Sequence, residues 1–237
     1  MTTPQIAVIT GSSSGLGAHL SEVLHGLDWN IYGIDKNNLH PNLKDKIKYY
    51  HMISDLSDYK QIDNTCNEIC NKENKIDLLV NCAGVMPSSL VAKINPMTAA
   101  EAFFINTIAP IYISKKFIRP LRKSGKPIII NITSIAAELS LPGECIYGAS
   151  KAALKHASES MAIEFIKYGI SVHNVAPALI NTPLTKHLTE KQKNYMLTKQ
   201  AFEHEVTLVN FSEVILHLLT TPSATTGSTT YVGGINR

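Results

Sequence analysis

Apolar positions along this chain follow two alternating rhythms. Short runs rich in Ile and Val read as strands: Gln5 to Thr10, Asn30 to Asp35, Lys48 to Ile53, Asp77 to Asn81, Lys126 to Thr133, Ile170 to Ala176 and Thr229 to Val232. Between several of them apolar residues return at helical spacing: Leu16, Leu20, Val23 and Leu24 before Gly26, then Ile62, Cys66, Ile69 and Cys70 within Tyr59 to Glu73. A third such stretch runs from Tyr147 to Tyr168, with Leu154, Ala157, Met161 and Phe165 on one side and Gly169 placed to cap its end. Strands alternating with helices predict an α/β fold, a doubly wound, Rossmann-like parallel sheet of about seven strands with helices on both faces. Ligands of such sheets bind outside the carboxyl ends of the strands.

Three further signals refine the pattern. Thr98-x-x-Glu101 reads as a capping box opening a long helix towards Lys123, interrupted at Pro110, whose missing N–H leaves the Asn106 carbonyl without its helical partner. Asn210-x-x-Glu213 reads as the start of a short helix through Leu219. The segment from Pro177 to Val206 carries one helix signal, Thr189-x-x-Gln192, and is expected to form a mobile substrate lid at about 178–206.

Composition narrows the class. At 237 residues, 44% hydrophobic and 17% charged, the chain suits one domain, 1–237, with a large core. Its net charge of +3 is spread without a basic block, which gives no reason to expect nucleic acid or a membrane as a partner. Cys66, Cys70, Cys82 and Cys145 form no CxxC pair, no metal-ligand cluster is evident, and Met1 to Gln5 carry no apolar leader; a cytoplasmic protein is expected.

The candidate chemistry lies where strands end. Gly11-Ser12-Ser13-Ser14-Gly15-Leu16-Gly17 joins the first strand to a helix, a turn that aims backbone N–H groups at an anion, and its G-x-x-x-G-x-G spacing differs from the commoner G-x-G-x-x-G. Asp35 ends the second strand, where a carboxylate accepts bonds from ribose hydroxyls and repels a 2′-phosphate; this favours NAD over NADP, with Lys36 as the opposing feature. Asn81-Cys82-Ala83-Gly84 ends the fourth strand with small residues. Tyr147-Gly148-Ala149-Ser150-Lys151 places a phenol and an ammonium on one helix face, and Ser134 ends the apolar run before it. Together they offer a proton donor or acceptor, a cation and a carbonyl-polarising hydroxyl. Tyr32/Lys36, Tyr112/Lys116 and Tyr195/Lys199 have the same spacing but no such context.

In combination these motifs resemble the short-chain dehydrogenase/reductase family over essentially the whole chain. The resemblance implies a catalytic tetrad of Asn106, Ser134, Tyr147 and Lys151. It implies cofactor contacts from Gly11, Ser13, Ser14, Gly15, Leu16, Gly17, Asp35, Asp55, Leu56, Asn81, Ala83 and Gly84, from Tyr147 and Lys151, and from Pro177, Ile180 and Thr182. It further implies hydride transfer between NAD and a small alcohol or carbonyl substrate, a homodimer or homotetramer, and a water on the Asn106 carbonyl that also touches Lys151. Cys82 stands where the family's motif usually has a second asparagine, Ala178 where it has glycine, and Val232-Gly233-Gly234 lacks the customary preceding acid. Two alternatives compete: an NADPH-dependent 3-oxoacyl-type ketoreductase, against which Asp35 argues, and a dinucleotide-binding regulator without turnover, against which the intact tetrad argues. Met86, Ile135, Leu141, Cys145, Leu179, Leu184, Tyr195 and Met196 are expected to line a largely apolar substrate pocket.

Overall fold

The computed structural model describes residues 4–221 and 225–236. Seven parallel strands form one sheet: β1 (Ile6–Thr10), β2 (Asn30–Asp35), β3 (Tyr49–Ile53), β4 (Leu78–Asn81), β5 (Ile128–Ile132), β6 (Ser171–Pro177) and β7 (Thr229–Val232), in the order β3-β2-β1-β4-β5-β6-β7. The order reverses direction between β1 and β4, which opens a crevice beyond their carboxyl ends.

Alternation along β1 divides the core. Ala7 and Ile9 face a cluster that includes Leu20 and Leu24 of α1 (Gly15–Gly26) and Phe211 and Ile215 of α7 (Leu208–Thr220). Ile6 and Val8 face the opposite cluster, with Ile62 and Ile69 of α2 (Tyr59–Lys72), Phe117 of α4 (Ala109–Leu121), and Met161 and Phe165 of α5 (Cys145–Phe165). Every residue of β1, β4, β5 and β6 is buried, as expected for strands covered on both faces.

Two helix starts differ from the sequence reading. The helix assigned to Thr98 begins earlier, as α3 (Pro96–Phe103), because the Asn95 side chain accepts from the N–H groups of Met97 and Thr98 and Pro96 occupies a first-turn position that needs no N–H. Thr207, not Asn210, caps α7; Asn210 is the third residue of that capping box and accepts from the Thr207 N–H. The capping box at Thr189 stands as read and opens α6 (Glu190–Leu197).

Pro110 does not break the long helix. The chain widens into one π-helical turn at Phe104–Ile108, with the Ala109 N–H bonded to the Phe104 carbonyl, and α4 continues directly. Residues 178–206 are folded: α6 lies within them, Ile180 bridges Val206, and buried Gln200 accepts from the Leu179 N–H while donating to the carbonyls of Phe202 and His204.

Candidate active site

The cleft at the β1/β4 crevice is built by backbone proximity. Gly11 has φ +71 and Gly15 φ +53, left-handed conformations that favour glycine. A methyl on Gly11 would lie 2.8 Å from the Ala83 Cα, and one on Gly17 would overlap the Gly11 carbonyl, so strand end, turn and helix close on each other only without side chains. Ser14 caps α1 without a side-chain hydrogen bond, and no acid stands in the first turn. The first-turn N–H groups therefore lack both a side-chain acceptor from the cap and a competing charge, which suits a pyrophosphate.

A cavity of 340 Å³ extends from that turn, lined by Gly11, Ser14, Gly15, Leu16, Gly17, Asp35, Asp55, Leu56, Ala83, Gly84 and Thr182 among the expected residues. Ser13, Asn81, Pro177 and Ile180 stand behind it. The Ser13 N–H donates to Asp35 at 3.0 Å; Asn81 donates to Asn131 at 2.7 Å inside the sheet; Pro177 is buried at the end of β6, and Ile180 packs into the core. Sequence reading missed Ile34, Asn37, Ser54, Val85, Ile105 and Pro183, which complete the lining with Lys36, Cys82 and Leu184; most are neighbours of motif residues, and adjacency was the available signal. A flat, phosphate-bearing dinucleotide fits this donor set: N–H groups at the helix start, a strand-end carboxylate and a glycine floor.

Asp35 is held before any ligand arrives. Besides Ser13, it accepts from the Asn37 N–H at 2.8 Å and the Asn37 side chain at 3.1 Å. The Asp55 carboxyl lies below its usual range, chiefly because the Ser57 N–H donates to it, with Lys36 acting in the same direction.

Beyond the cleft, β5 and the start of α5 bring together three of the four expected catalytic side chains. Ser134 stands beside Tyr147 and favours its ionised form, while the Lys151 Nζ donates to the Ile132 carbonyl at 2.8 Å and lies 6.0 Å from the centre of the Tyr147 ring. Asn106, in the π turn, reaches the same place. Its Oδ1 accepts from the Val85 N–H at 2.8 Å, and its Nδ2 donates to the Val85 carbonyl and to Ser150 Oγ. A methyl on Gly84 would sit 3.2 Å from Asn106 Oδ1 and 3.4 Å from Lys151 Nζ, so this glycine lets the strand end pack closely on both.

Electrostatics here differ from the simple expectation that Lys151 acidifies Tyr147. Burial pushes the phenol up to about 12, with the charge of Glu144 adding to the rise and the neighbouring Ser134 hydroxyl opposing it. Burial pushes the Lys151 ammonium down to about 8. The arrangement supplies a phenol beside a hydroxyl and an ammonium close by, behind Gly84 of the cleft lining.

The substrate side is mixed. Leu141, Tyr195 and Met196 line a second cavity with Glu144, Met86 packs on the cluster around Tyr147, and Cys145 borders a groove beside α5. Leu184 faces the dinucleotide cleft instead, and Ile135 and Leu179 are fully buried, Ile135 within the core cluster beneath β5. The competing Tyr/Lys pairs have other duties: Tyr112 and Lys116 both bind Asp63, joining α4 to α2, Tyr32 donates to Glu73, and Lys199 lies over the Tyr195 ring. Among the described residues no cluster of metal ligands occurs, and no helix is long and apolar enough to cross a membrane.

Comparison with known proteins bears on the whole chain. The family model for short chain dehydrogenases matches residues 5–193. A 3-oxoacyl-[acyl-carrier-protein] reductase of Buchnera aphidicola subsp. Schizaphis graminum is 30% identical over 234 residues, 96% of this chain and 95% of that protein. Nodulation protein G of Rhizobium sp. strain N33 is 28% identical, covering 98% of this chain and 96% of that protein. A structure of a 4-hydroxyisoleucine dehydrogenase complexed with NADH superposes with a TM-score of 0.90 at 24% identity, covering 97% and 98% of the two chains, a likeness of fold. Sequence, strand order and cleft agree, and the chain belongs to the short-chain dehydrogenase/reductase family.

Proposed function

We propose that this protein is an NAD(H)-dependent oxidoreductase that interconverts a small secondary alcohol and its ketone, with Tyr147 as the proton-transfer residue. The observation that carries this reading is the meeting of Ser134, Tyr147 and Lys151 next to Gly84, in the lining of a glycine-floored cleft that also holds Asp35. When bound, the nicotinamide supplies the hydride acceptor or donor. In the oxidative direction the substrate O–H proton passes to the Tyr147 oxygen, the carbinol hydride leaves, and the C–O bond becomes a carbonyl held by Ser134. Lys151 carries positive charge next to the ionising phenol and binds ribose hydroxyls. Asn106 fixes Val85 and Ser150 around that centre, and a water on its carbonyl would extend the proton route from Lys151 towards solvent.

Asp35 supports NAD, since a 2′-phosphate there would meet a carboxylate already bonded to the turn. Lys36, which also lines the cleft, and the relatives named as 3-oxoacyl-[acyl-carrier-protein] reductases favour a second reading, an NADPH-dependent ketoreductase. Thermal-shift titration with NADH and NADPH separates the two, and a carbonyl screen with the tighter cofactor tests turnover. Loss of nicotinamide absorbance that requires Tyr147 supports the enzyme reading; dinucleotide binding without turnover of any carbonyl compound favours the regulator. We place the protein in a reducing cytoplasm, consistent with its four free cysteines. We read it as a homodimer or homotetramer that covers exposed Ile163 and Ile166 at the end of α5, checked by light scattering.

A further inference from the structure

Glu144 precedes Tyr147 by three positions and forms the N-cap of α5, so the two side chains leave adjacent points of one helix turn. It is 5% exposed, yet neither carboxylate oxygen has a hydrogen-bond partner. Ser88 is the neighbouring side chain that favours its ionised form, but the hydroxyl does not reach bonding geometry with either oxygen. A carboxylate ordinarily finds an arginine, a lysine or several N–H donors when buried. This one instead lines a cavity of 310 Å³ whose remaining wall is largely apolar: Leu141, Leu188, Tyr195 and Met196, with Lys191 at its edge and no ion pair between Lys191 and Glu144 among the described residues. Leu141 and Met196 also pack with Tyr147, so the cavity lies beside the reacting phenol.

We propose that Glu144 is the specificity-determining residue of the substrate pocket and takes a cationic substituent, a primary ammonium, on an alcohol or ketone whose oxygen is presented to Tyr147. This rests on the oxidoreductase reading above and names its substrate class. The geometry explains why the carboxylate is left unpaired: the ligand brings the partner. It also links recognition to chemistry. The charge of Glu144 holds the Tyr147 phenol up, so a cation seated on Glu144 cancels that opposition and eases ionisation of the phenol when the correct substrate is in place.

The test compares four short probes: 1-amino-2-propanol, its neutral isostere 2-butanol, the diol 1,2-propanediol and the anion 3-hydroxybutyrate. Each is titrated at pH 8 into wild type and Glu144→Gln with whichever of NAD⁺ and NADP⁺ raises the melting temperature more, reading both thermal stabilisation and dinucleotide reduction. A charge-assisted bond is worth roughly tenfold to a hundredfold in affinity. The amino alcohol is therefore expected to saturate at about tenfold lower concentration than 2-butanol or lower, and Glu144→Gln to bring the half-saturating concentrations of the two probes together. Equal affinities in wild type, or an advantage that survives in Glu144→Gln, overturns the proposal. A preference for the diol assigns Glu144 to a neutral hydroxyl, and a preference for the anion transfers the role to Lys191; both also overturn it. Selective binding of the amino alcohol without dinucleotide reduction would leave Glu144 as its anchor while removing the oxidoreductase reading, and turnover without the preference would do the reverse.

Discussion

Asn106 and Glu144 are both buried polar side chains within reach of the same catalytic centre, and the fold treats them in opposite ways. Asn106 is fully enclosed and its amide is completely engaged, with one bond accepted and two donated. Glu144 is almost as enclosed and makes none. An unpartnered buried polar group costs about 1–3 kcal/mol, and more when charged, so a chain that keeps one has either surrendered stability or left the place for something else to complete. The lining around Asn106, Val85 and Ser150 is thus fixed in advance. The substrate side retains an unmet demand.

The widest margin belongs to Tyr147. Tyr147→Phe is expected to lower turnover by roughly 10²–10⁴-fold while NADH still binds, because the cofactor side does not depend on the phenol's proton. Activity retained in a purified, folded Phe variant would remove Tyr147 as the acid/base.

Glu144 offers the next effect, read in stability. Burial raises its carboxyl from 4.5 to about 7, while Lys191 and Tyr195 on α6 are the other titratable groups lining its cavity and Tyr147 on α5 lies beside it. Below pH 4.5 the group is protonated in both folded and unfolded chains and nothing is lost. As pH rises through about 7 the unfolded chain releases the proton more readily, so stability falls. The difference between Glu144→Gln and wild type should therefore move by about 2–3 kcal/mol in favour of the variant from pH 5 to pH 8. A pH-independent difference in denaturation midpoints would place a partner on Glu144 and erase the contrast with Asn106.

Asp35→Ala sharpens the account of the cofactor side. Removing the carboxylate should narrow the preference for NADH over NADPH by about tenfold, the scale of one partly screened charge contact. Equal affinities in wild type would shift attention to Lys36. The smallest effect is expected from Pro110→Ala. Restoring that N–H allows the π turn to tighten into α-helix, stabilising the fold by less than about 1 kcal/mol while displacing Asn106 and slowing turnover a fewfold. Faster turnover would show that the widened turn is not needed to position Asn106.

Much of this was legible in the chain because the signals were redundant. Strand runs such as Ile128–Ile132 needed no fine judgement, being apolar but for Asn131, and the glycine turn, Asp35 and Tyr147 each stood at an element boundary. Helix starts were less legible because Ser, Thr, Asn and Glu recur at three-residue spacing. Thr207, Asn210 and Glu213 offer two overlapping boxes, and only the backbone bonds show that the first is used; at Asn95 the following proline was the overlooked clue. Pro110 was read as an interruption because a sequence cannot show that a helix will absorb it by widening. Glu144 was missed for a different reason. An acid beside a helix start is ordinary on a surface, and its meaning comes from burial, a property of contacts with Leu141, Met196 and residues 178–206 that spacing along one helix does not carry.

The strand order has a consequence for how the protein is made. β1 pairs with β2 and with β4, and the Ile6 N–H is bound by Asp77, far along the chain. A chain leaving the ribosome can join its first two strands early, but the wall where Ala83 meets Gly11 cannot close until residues beyond 80 have emerged, and Tyr147 arrives later still. For that interval the carboxyl edge of β1 is an open flank of apolar Ala7, Val8 and Ile9. The glycine turn and Asp35 are thus among the first parts of the site to emerge, and Tyr147 and Lys151 among the last.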